Sequence, residues 1–584
     1  MSIQPPSQPR IAAALISLRG PTMADVLDRL ASVPGLEGSR RDGLRSAVRT
    51  FCRGLGKAPL DVSAEPRAVR EALAGLSPGG LGISSRSFRN LRSLVAKALA
   101  AAGIETIGVR PRTRLSPAWE PLVARLTGKT MRCALMRPLR LLSDAGIEPH
   151  QVDQGVADEL GRALEARQVL RHPRTVFTTF VRQWNQACRI VPGWPEVTLR
   201  IDDRRDYYVL PPETFPPGLG HDIAGWLQAI SSFSLSRRRP SLRPCTVAGH
   251  RTRLWELASA AVHAGVPAQD LASSNDLTRA PTVERALEWL ADHRFGGQPA
   301  PHLGSIARVA YLIARELMED ASSDQRQTEE RNLAELKLFC QNLKHTQIGL
   351  APKNRALLNR FKDPDLLARF VTLPGRVFRE ILGKRRIKVA DAVRGQIALA
   401  IEILLHAPVR IQNLRTIDLD AHYKVYGNGP KARVVLEFPA AEVKNAVDLS
   451  YPLPAEAAAL VAVYRERLRP LVAAPGNSYL FSGDGPRAKQ ASLLSTQIAN
   501  LTFELVGVRA TAHQFRHICS LLYLQQHPGD YETVRQFLGQ KRIETTIRFY
   551  AGMEGEAAIA LWDDTLAQIR RLAAERLNGP RRRR

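Results

Sequence analysis

Residues 512–550 read AHQFRHICSLLYLQQHPGDYETVRQFLGQKRIETTIRFY and hold the densest run of chemistry-bearing side chains in the chain. His513 and Arg516 stand three apart in a helical stretch, so both project from one face. Tyr550 closes FLGQKRIETTIRFY, 34 positions beyond Arg516. Upstream, Arg410 sits in HAPVRIQNL, at the end of a long apolar helix expected over Val389–Leu405. Arg433–Phe438 (RVVLEF) and Val447–Leu453 (VDLSYPL) have strand character and flank a polar bend containing Lys444. Three or four helices are expected from there to Leu577. Taken singly, each polar residue has an ordinary explanation: a helix start for His513, a surface ion pair for Arg516, a helix C-terminal charge for Arg410, a core edge for Tyr550. The spacing predicts a mixed domain with a small sheet from about Ala351 onward.

The surroundings narrow the class of partner. The chain has 584 residues, enough for several domains, and its 44% hydrophobic content excludes a disordered protein. Lys and Arg number 83 against 56 Asp and Glu, a net charge of +27. Residues 351–584 hold 36 basic and 22 acidic side chains (+14), leaving 47 and 34 (+13) for the first 350. An excess spread so evenly points to an extended polyanion rather than to a single tail contact, although ribosome-associated and membrane-surface proteins are basic too. The six cysteines are scattered without a CxxC pair, as expected of core residues in a reducing compartment. The N-terminus lacks a signal-peptide layout, and no apolar run approaches the ~20 residues that span a bilayer. A cytoplasmic protein is the expectation.

The first two-thirds reads as successive helices. Arg45–Val62, Arg137–Val152 and Arg253–Leu271 are alike: an amphipathic helix stopped by Gly56, Gly146 or Gly265, then Pro59, Pro149 or Pro267 within three residues. Two further helical patterns follow each, which suggests related helical units. The expected organisation is a helical domain over 1–115 (first repeat), a second over 116–189, a Pro-rich linker over 190–233, a helical DNA-binding domain over 234–350, the mixed domain over 351–577, and a basic tail over 578–584. The stretch Ser234–Pro244 (SLSRRRPSLRP) is either a solvated arginine run or a phosphate-contacting strap.

Together, Arg410, Lys444, the HxxRH run, LG with Gln540, Thr545–Thr546 and Tyr550 resemble the tyrosine recombinase (phage integrase) family in their order and spacing. The motifs cover Ala351–Leu577, and the likeness extends more weakly to Arg237–Met318, similar to the family's core-binding domain. The resemblance implies a mainly α fold with a small β-sheet in the C-terminal domain, and a C-shaped clamp on duplex DNA. It implies site-specific strand breakage and rejoining of a mobile element by four protomers on two duplexes, without ATP, metal or other cofactor. Tyr550 falls on the nucleophile, which would form a covalent 3′-phosphotyrosine link. Arg410 and Arg516 would neutralise the charge growing on the phosphate. His513 would assist proton transfer, and Lys444 would protonate the departing 5′ oxygen. Lys424 and Lys431 compete with Lys444, and Tyr523 and Tyr531 with Tyr550. Arg237, Arg238, Arg239, Arg243, Lys541 and Arg542 are candidate DNA contacts.

Two positions depart from the family pattern. Gln540 stands where His or Trp is common; its amide can still donate to a phosphate oxygen, so retuned activity is expected. Asn413 replaces an acidic residue three after the first arginine, so Arg410 must be held by other groups. A type IB topoisomerase and a DNA-binding accessory paralogue that no longer cleaves are the alternatives. Glu554–Arg576, amphipathic around Ile559, Leu561, Trp562, Leu566 and Ile569, is a candidate for docking on a neighbouring protomer or an ordinary last helix.

Overall fold

Proline sets the start of many helices. Pro66, Pro173, Pro217, Pro244, Pro301, Pro352 and Pro364 each occupy the first residue of an α-helix. That position needs no N–H donor, and the ring's fixed φ is already helical. In the computed structural model, which describes residues 20–36, 38–106, 114–170, 172–201, 207–233, 241–344, 349–428, 432–551 and 555–578, the chain is mainly α with one small sheet. It forms two units: residues 1–201 together with 348–584, and residues 202–347.

Three helix ends share one backbone pattern. Gly56, Gly146 and Gly265 have φ of 65°, 75° and 91°, the left-handed region that glycine enters without a Cβ clash. The next residue's N–H returns five positions to the helix in each case: Lys57 to Cys52, Ile147 to Leu142, Val266 to Ala261. A 3-10 turn then leads toward the following helix (Pro59–Asp61, Pro149–Gln151, Ala268–Asp270). The similarity read in the sequence is therefore one of stop geometry.

Separate cores surround these turns. One is built on Met23, Leu44, Phe51, Val95 and Leu99. The next is built on Trp119, Leu135, Leu164, Phe180 and Trp184. The segment 190–233 is divided between cores and is not a plain linker. Val191, Trp194 and Leu199 close the second core, where the Trp194 ring lies 5.2 Å from that of Trp184. Tyr208, Phe215 and the Pro217–Ser231 helix enter the core of the 202–347 unit. Proline density marked the turns between these pieces while concealing their aromatic anchors. Arg237, Arg238 and Arg239 lie outside the described residues, as does the Arg581–Arg584 run; Arg243 caps the Pro244–His263 helix.

The largest core gathers around the Val389–His406 helix, whose Ala398, Leu399, Ala400, Ile401, Ile403 and Leu404 are all buried. A helix whose second half is buried around nearly its whole circumference must be central. Beside it lies the antiparallel sheet β1 (Tyr423–Tyr426), β2 (Arg433–Phe438) and β3 (Leu449–Pro452), in the order β1-β2-β3, with Lys424 opposite Val435 and Leu436 opposite Tyr451. The strand β1 was not expected, because YKVY is short and half-exposed. After β3 come helices Ala455–Val463, Ala491–Val506, Ala512–Gln526, Tyr531–Phe537, Ile543–Tyr550 and Gly555–Asn578, more than expected, because short turns at Gly529 and Gly539 break one long helical pattern. No helix among the described residues is long and apolar enough to cross a membrane.

The N-terminal helices dock on this domain within the same unit. The Pro78–Leu81 turn sits on the C-terminal end of the Ala491–Val506 helix. Ser85 donates to Glu504 at 2.9 Å, and Arg394 grips the same carboxylate with both Nη atoms at 3.1 and 3.2 Å. A Cβ on Gly79 would lie 2.2 Å from the Leu505 carbonyl carbon. Backbone cannot yield as a side-chain tip can. Gly79→Ala is therefore expected to destabilise the protein by about 1–3 kcal/mol in urea unfolding and to raise hydrogen exchange at residues 503–507, whereas Gly75→Ala, in open space, should not.

Candidate active site

The site is assembled around one buried guanidinium. Arg516, on the Ala512–Gln526 helix, is only 5% exposed. Its Nη1 donates to the Pro408 carbonyl at 2.6 Å and its Nη2 to the Leu538 carbonyl at 2.7 Å. The first bond fixes the turn after the central helix, where Arg410 opens the short Ile411–Arg415 helix; the second fixes the LG turn before Gln540. Burial, then the nearby charge of Arg410, lowers the Arg516 pKa. Arg516 has no carboxylate partner among the described residues.

Arg410 is half-buried, and burial lowers its pKa as well. Its Nη2 donates to Asn445 Oδ1 at 3.2 Å, and Asn445 Nδ2 donates to the Gly539 carbonyl at 2.7 Å. Asn445 thus bridges Arg410 to the LG turn, a role not foreseen from the sequence. Asn413 is buried and donates to the Glu442 carbonyl at 3.4 Å, so it anchors the β2–β3 loop and does not pair with Arg410. Ala446, the next residue in that loop, holds φ 48°, a strained conformation for a residue with a Cβ.

Lys444 is exposed on the same loop, near enough to Arg410 and Arg516 that all three lower the His513 pKa after burial of its ring. Glu442, the neighbouring acid, is committed to His422 at 2.9 Å. Of the competing lysines, Lys424 donates to the Asp420 carbonyl at 2.9 Å, and Lys431 lies outside the described residues.

Tyr550 ends the Ile543–Tyr550 helix and is 2% exposed. Its hydroxyl is 3.1 Å from His517 Nδ1, and burial raises its pKa, partly offset by Ser520 and the charge of Arg516. His517, the last residue of HQFRH, received no role in the sequence reading. The only available signal was its place one helical turn beyond His513; the two rings meet edge-on at 5.3 Å. Tyr451 on β3 was also missed. Its hydroxyl donates to the Phe537 carbonyl at 2.8 Å, and burial pushes its pKa up to about 12 despite Arg516 and Arg410 nearby.

Gln540 Oε1 accepts from Thr546 Oγ1 at 2.7 Å, so the amide's NH2 end is the one left to donate. Of the other tyrosines, Tyr523 is tied to Asp530 at 2.6 Å and Tyr531 opens the Tyr531–Phe537 helix. Lys541 and Arg542 are exposed just before the Ile543–Tyr550 helix. Arg410, Lys444 and Arg516 thus lie near the His513 ring, and His517 links that ring to the Tyr550 hydroxyl, with no acid paired to these cations among the described residues.

No protein-family model matches the chain, and no curated protein matches it. Among solved structures it is similar to the XerH site-specific recombinase bound to palindromic difH substrate in a post-cleavage complex. That match has 14% identity and a TM-score of 0.30, covering 58% of this chain and 95% of that one. It is similar to the XerA recombinase at 13% identity, with a TM-score of 0.24 and coverage of 59% and 96%. The Tn1549 transposon integrase in complex with a circular intermediate DNA has 14% identity, a TM-score of 0.34 and coverage of 59% and 99%.

Burial, then the charges of His513 and Arg516, pushes the His517 pKa from 6.5 down to about 4. The folded state therefore resists the proton that the unfolded chain takes up below about pH 6.5. Stability from this group is intact above 6.5, falls as pH drops through that window, and stops falling near pH 4. Full depression corresponds to roughly 3 kcal/mol. Unfolding free energies of wild type and His517→Gln, measured from pH 7 to 4, should show a smaller acid-dependent loss in the variant; parallel curves would refute this.

Proposed function

We propose that the protein is a tyrosine-type site-specific DNA recombinase, which breaks and rejoins strands at the ends of a mobile element. The observation that carries this reading is the gathering of Arg410, Arg516 and Lys444 near His513, which His517 joins to Tyr550, with no carboxylate partner among the described residues for any of the three cations. Such a cluster of cations is stabilised by an incoming anion, and a phosphodiester is the anion that a phenol nucleophile would attack.

In this mechanism the Tyr550 oxygen attacks the phosphorus, and the bond to the 5′ oxygen breaks as the 3′-phosphotyrosine bond forms. The phenol proton passes to His517, neutral at physiological pH and already within hydrogen-bond distance. Arg410 and Arg516 each retain donors for the non-bridging oxygens. Lys444 gives a proton to the departing 5′ oxygen, and Gln540 donates its NH2 to the phosphate. Rejoining reverses these steps, so the bond energy is conserved without ATP.

The Gly555–Asn578 helix follows Tyr550 with Ile559, Leu561, Trp562 and Ile569 all more than half exposed. An unburied apolar stripe supports docking on another protomer, as an assembly of recombinases on two duplexes requires. It favours that reading over a topoisomerase acting as a monomer.

A nicked duplex suicide substrate carrying the element's own end should trap a covalent adduct with wild-type protein, seen as a shifted band on denaturing gels, and none with Tyr550→Phe. Absence of an adduct from wild type, or its persistence in the variant, would sink the proposal. Asn445→Ala, which removes the bridge from Arg410 to Gly539, should slow adduct formation on the order of 10–100-fold with little change in DNA affinity. Equal losses in rate and affinity would instead assign Asn445 to DNA binding.

A further inference from the structure

A second cationic feature lies away from the tyrosine, where the N-terminal helices meet the C-terminal domain. The contact encloses a cleft of about 1500 Å³ lined by eight arginines, one histidine and three glutamates. Each of the three acids is already paired: Glu71 with Arg67 at 3.1 Å, Glu380 with Lys384 at 3.9 Å, and Glu504 with Arg394. Arg86, Arg89 and Arg92 come from the Ser85–Ala101 helix; Arg369, Arg376 and Arg509 come from the C-terminal domain. None of these six makes an ion pair among the described residues.

Several of them are anchored by neutral groups only. Arg92 donates to the Leu170 carbonyl at 2.8 Å, Arg376 to the Arg369 carbonyl at 2.8 Å, and Arg509 to Asn500 at 2.8 Å. The Nε groups of Arg92, Arg369 and Arg394 are buried without an acceptor. The Arg376 pKa is lowered by partial burial of an otherwise exposed side chain and then by Arg369 and Arg379, so like charges are crowded here. Helix packing alone gives no reason to face one arginine cluster with another across a solvent-filled gap. A multivalent anion between them would remove the repulsion.

The shape and floor define the anion further. The cleft exceeds the roughly 300–1,000 Å³ of small-molecule sites. A duplex displaces on the order of 1,000 Å³ per base pair, from a width of ~20 Å and a rise of ~3.4 Å, so little more than one base pair would fit within it. A single strand of a few nucleotides can lie inside. Phe88 and Phe503 line the floor, with the Arg92 guanidinium 6.0 Å above one ring and that of Arg509 4.4 Å above the other. Cation–aromatic pairs beside a row of cations are what sequence-tolerant strand binding uses.

We infer that this cleft is a binding site for a single nucleic-acid strand, formed jointly by the N-terminal helices and the C-terminal domain. The choice of nucleic acid among polyanions rests on the proposed function; the site itself does not use the tyrosine chemistry. Arg394 and His406 stand on one helix about 18 Å apart along its axis, and Arg410 follows His406 by four residues, so the strand site is separate from the scissile phosphate.

The test uses the full chain and a fluorescent dT15 oligonucleotide, read by anisotropy between 50 and 300 mM NaCl. The variant Arg86→Ala/Arg89→Ala/Arg376→Ala/Arg509→Ala, all exposed positions, should bind dT15 at least ~10-fold more weakly. Its salt slope should be shallower by up to about 3, at roughly 0.7 per lost phosphate contact. The same four positions changed to Lys should restore most of the affinity and the slope. Adduct formation on the nicked duplex by the Ala variant should stay near wild type, which separates this site from the tyrosine site. Wild-type affinity and slope for dT15 in the Ala variant would overturn the inference, and so would equal losses for dT15 and a blunt 15-base-pair duplex. Displacement of dT15 by polyglutamate as effectively as by unlabelled dT15 would also overturn it, in favour of an acidic peptide. An absent adduct with an intact, arginine-dependent dT15 response would fail the proposed function alone.

Discussion

The C-terminal domain depends on a positive charge that has been taken out of water without a negative one to meet it. Arg516 spends both Nη groups on main-chain carbonyls, one from the turn after the central helix and one from the turn before Gln540. Removing a guanidinium from solvent is costly, and carbonyl dipoles offset only part of that cost. What the molecule gains is geometry. The turn that carries Arg410 and the turn bridged by Asn445 are held at a fixed separation by one side chain. Tyr550 then packs against His517, the residue after Arg516 on the same helix. Substituting Arg516 would therefore disturb position and charge together.

The same logic operates in both halves of the larger unit. Acidic side chains are present near each cationic cluster, but most are turned to other partners: Glu442 to His422, Glu71 to Arg67 and Glu380 to Lys384, with Glu504 held by Arg394 alone among the cleft arginines. The net charge of +27 is thus organised locally, by sequestering acids, as well as globally, by an excess of bases. A surface arranged in this way presents positive potential at chosen places even where the count of charges is nearly balanced.

Much of the fold was legible because its signals are local. Proline at helix starts, glycine at helix ends and the β-branched, apolar run of RVVLEF depend on neighbours in sequence. The candidate residues Arg410, Lys444, His513, Arg516 and Tyr550 stand out in the sequence only as an ordered set. What escaped the sequence is what depends on distant contacts. Asn445 matters because Gly539 lies beside it in space, and His517 because Tyr550 folds back onto it. Trp194 and Tyr208 look like linker residues until the cores that receive them are in place. The β1 strand belongs to the same group, since its pairing with β2 compensates for weak local preference.

The docking of the Pro78–Leu81 turn on the end of the Ala491–Val506 helix has a consequence in time. The two surfaces are separated by about 410 residues of chain, which at about 5–20 residues per second take on the order of 20–80 s to synthesise. The N-terminal helices must therefore leave the ribosome and persist without the surface they will cover. Their own cores, on Phe51 and on Trp119 and Trp184, let them do so. Arg86 and Arg89 are exposed on that face, where their like charges oppose close contact between copies. Gly79 then permits the close approach to the Leu505 main chain that completes the contact.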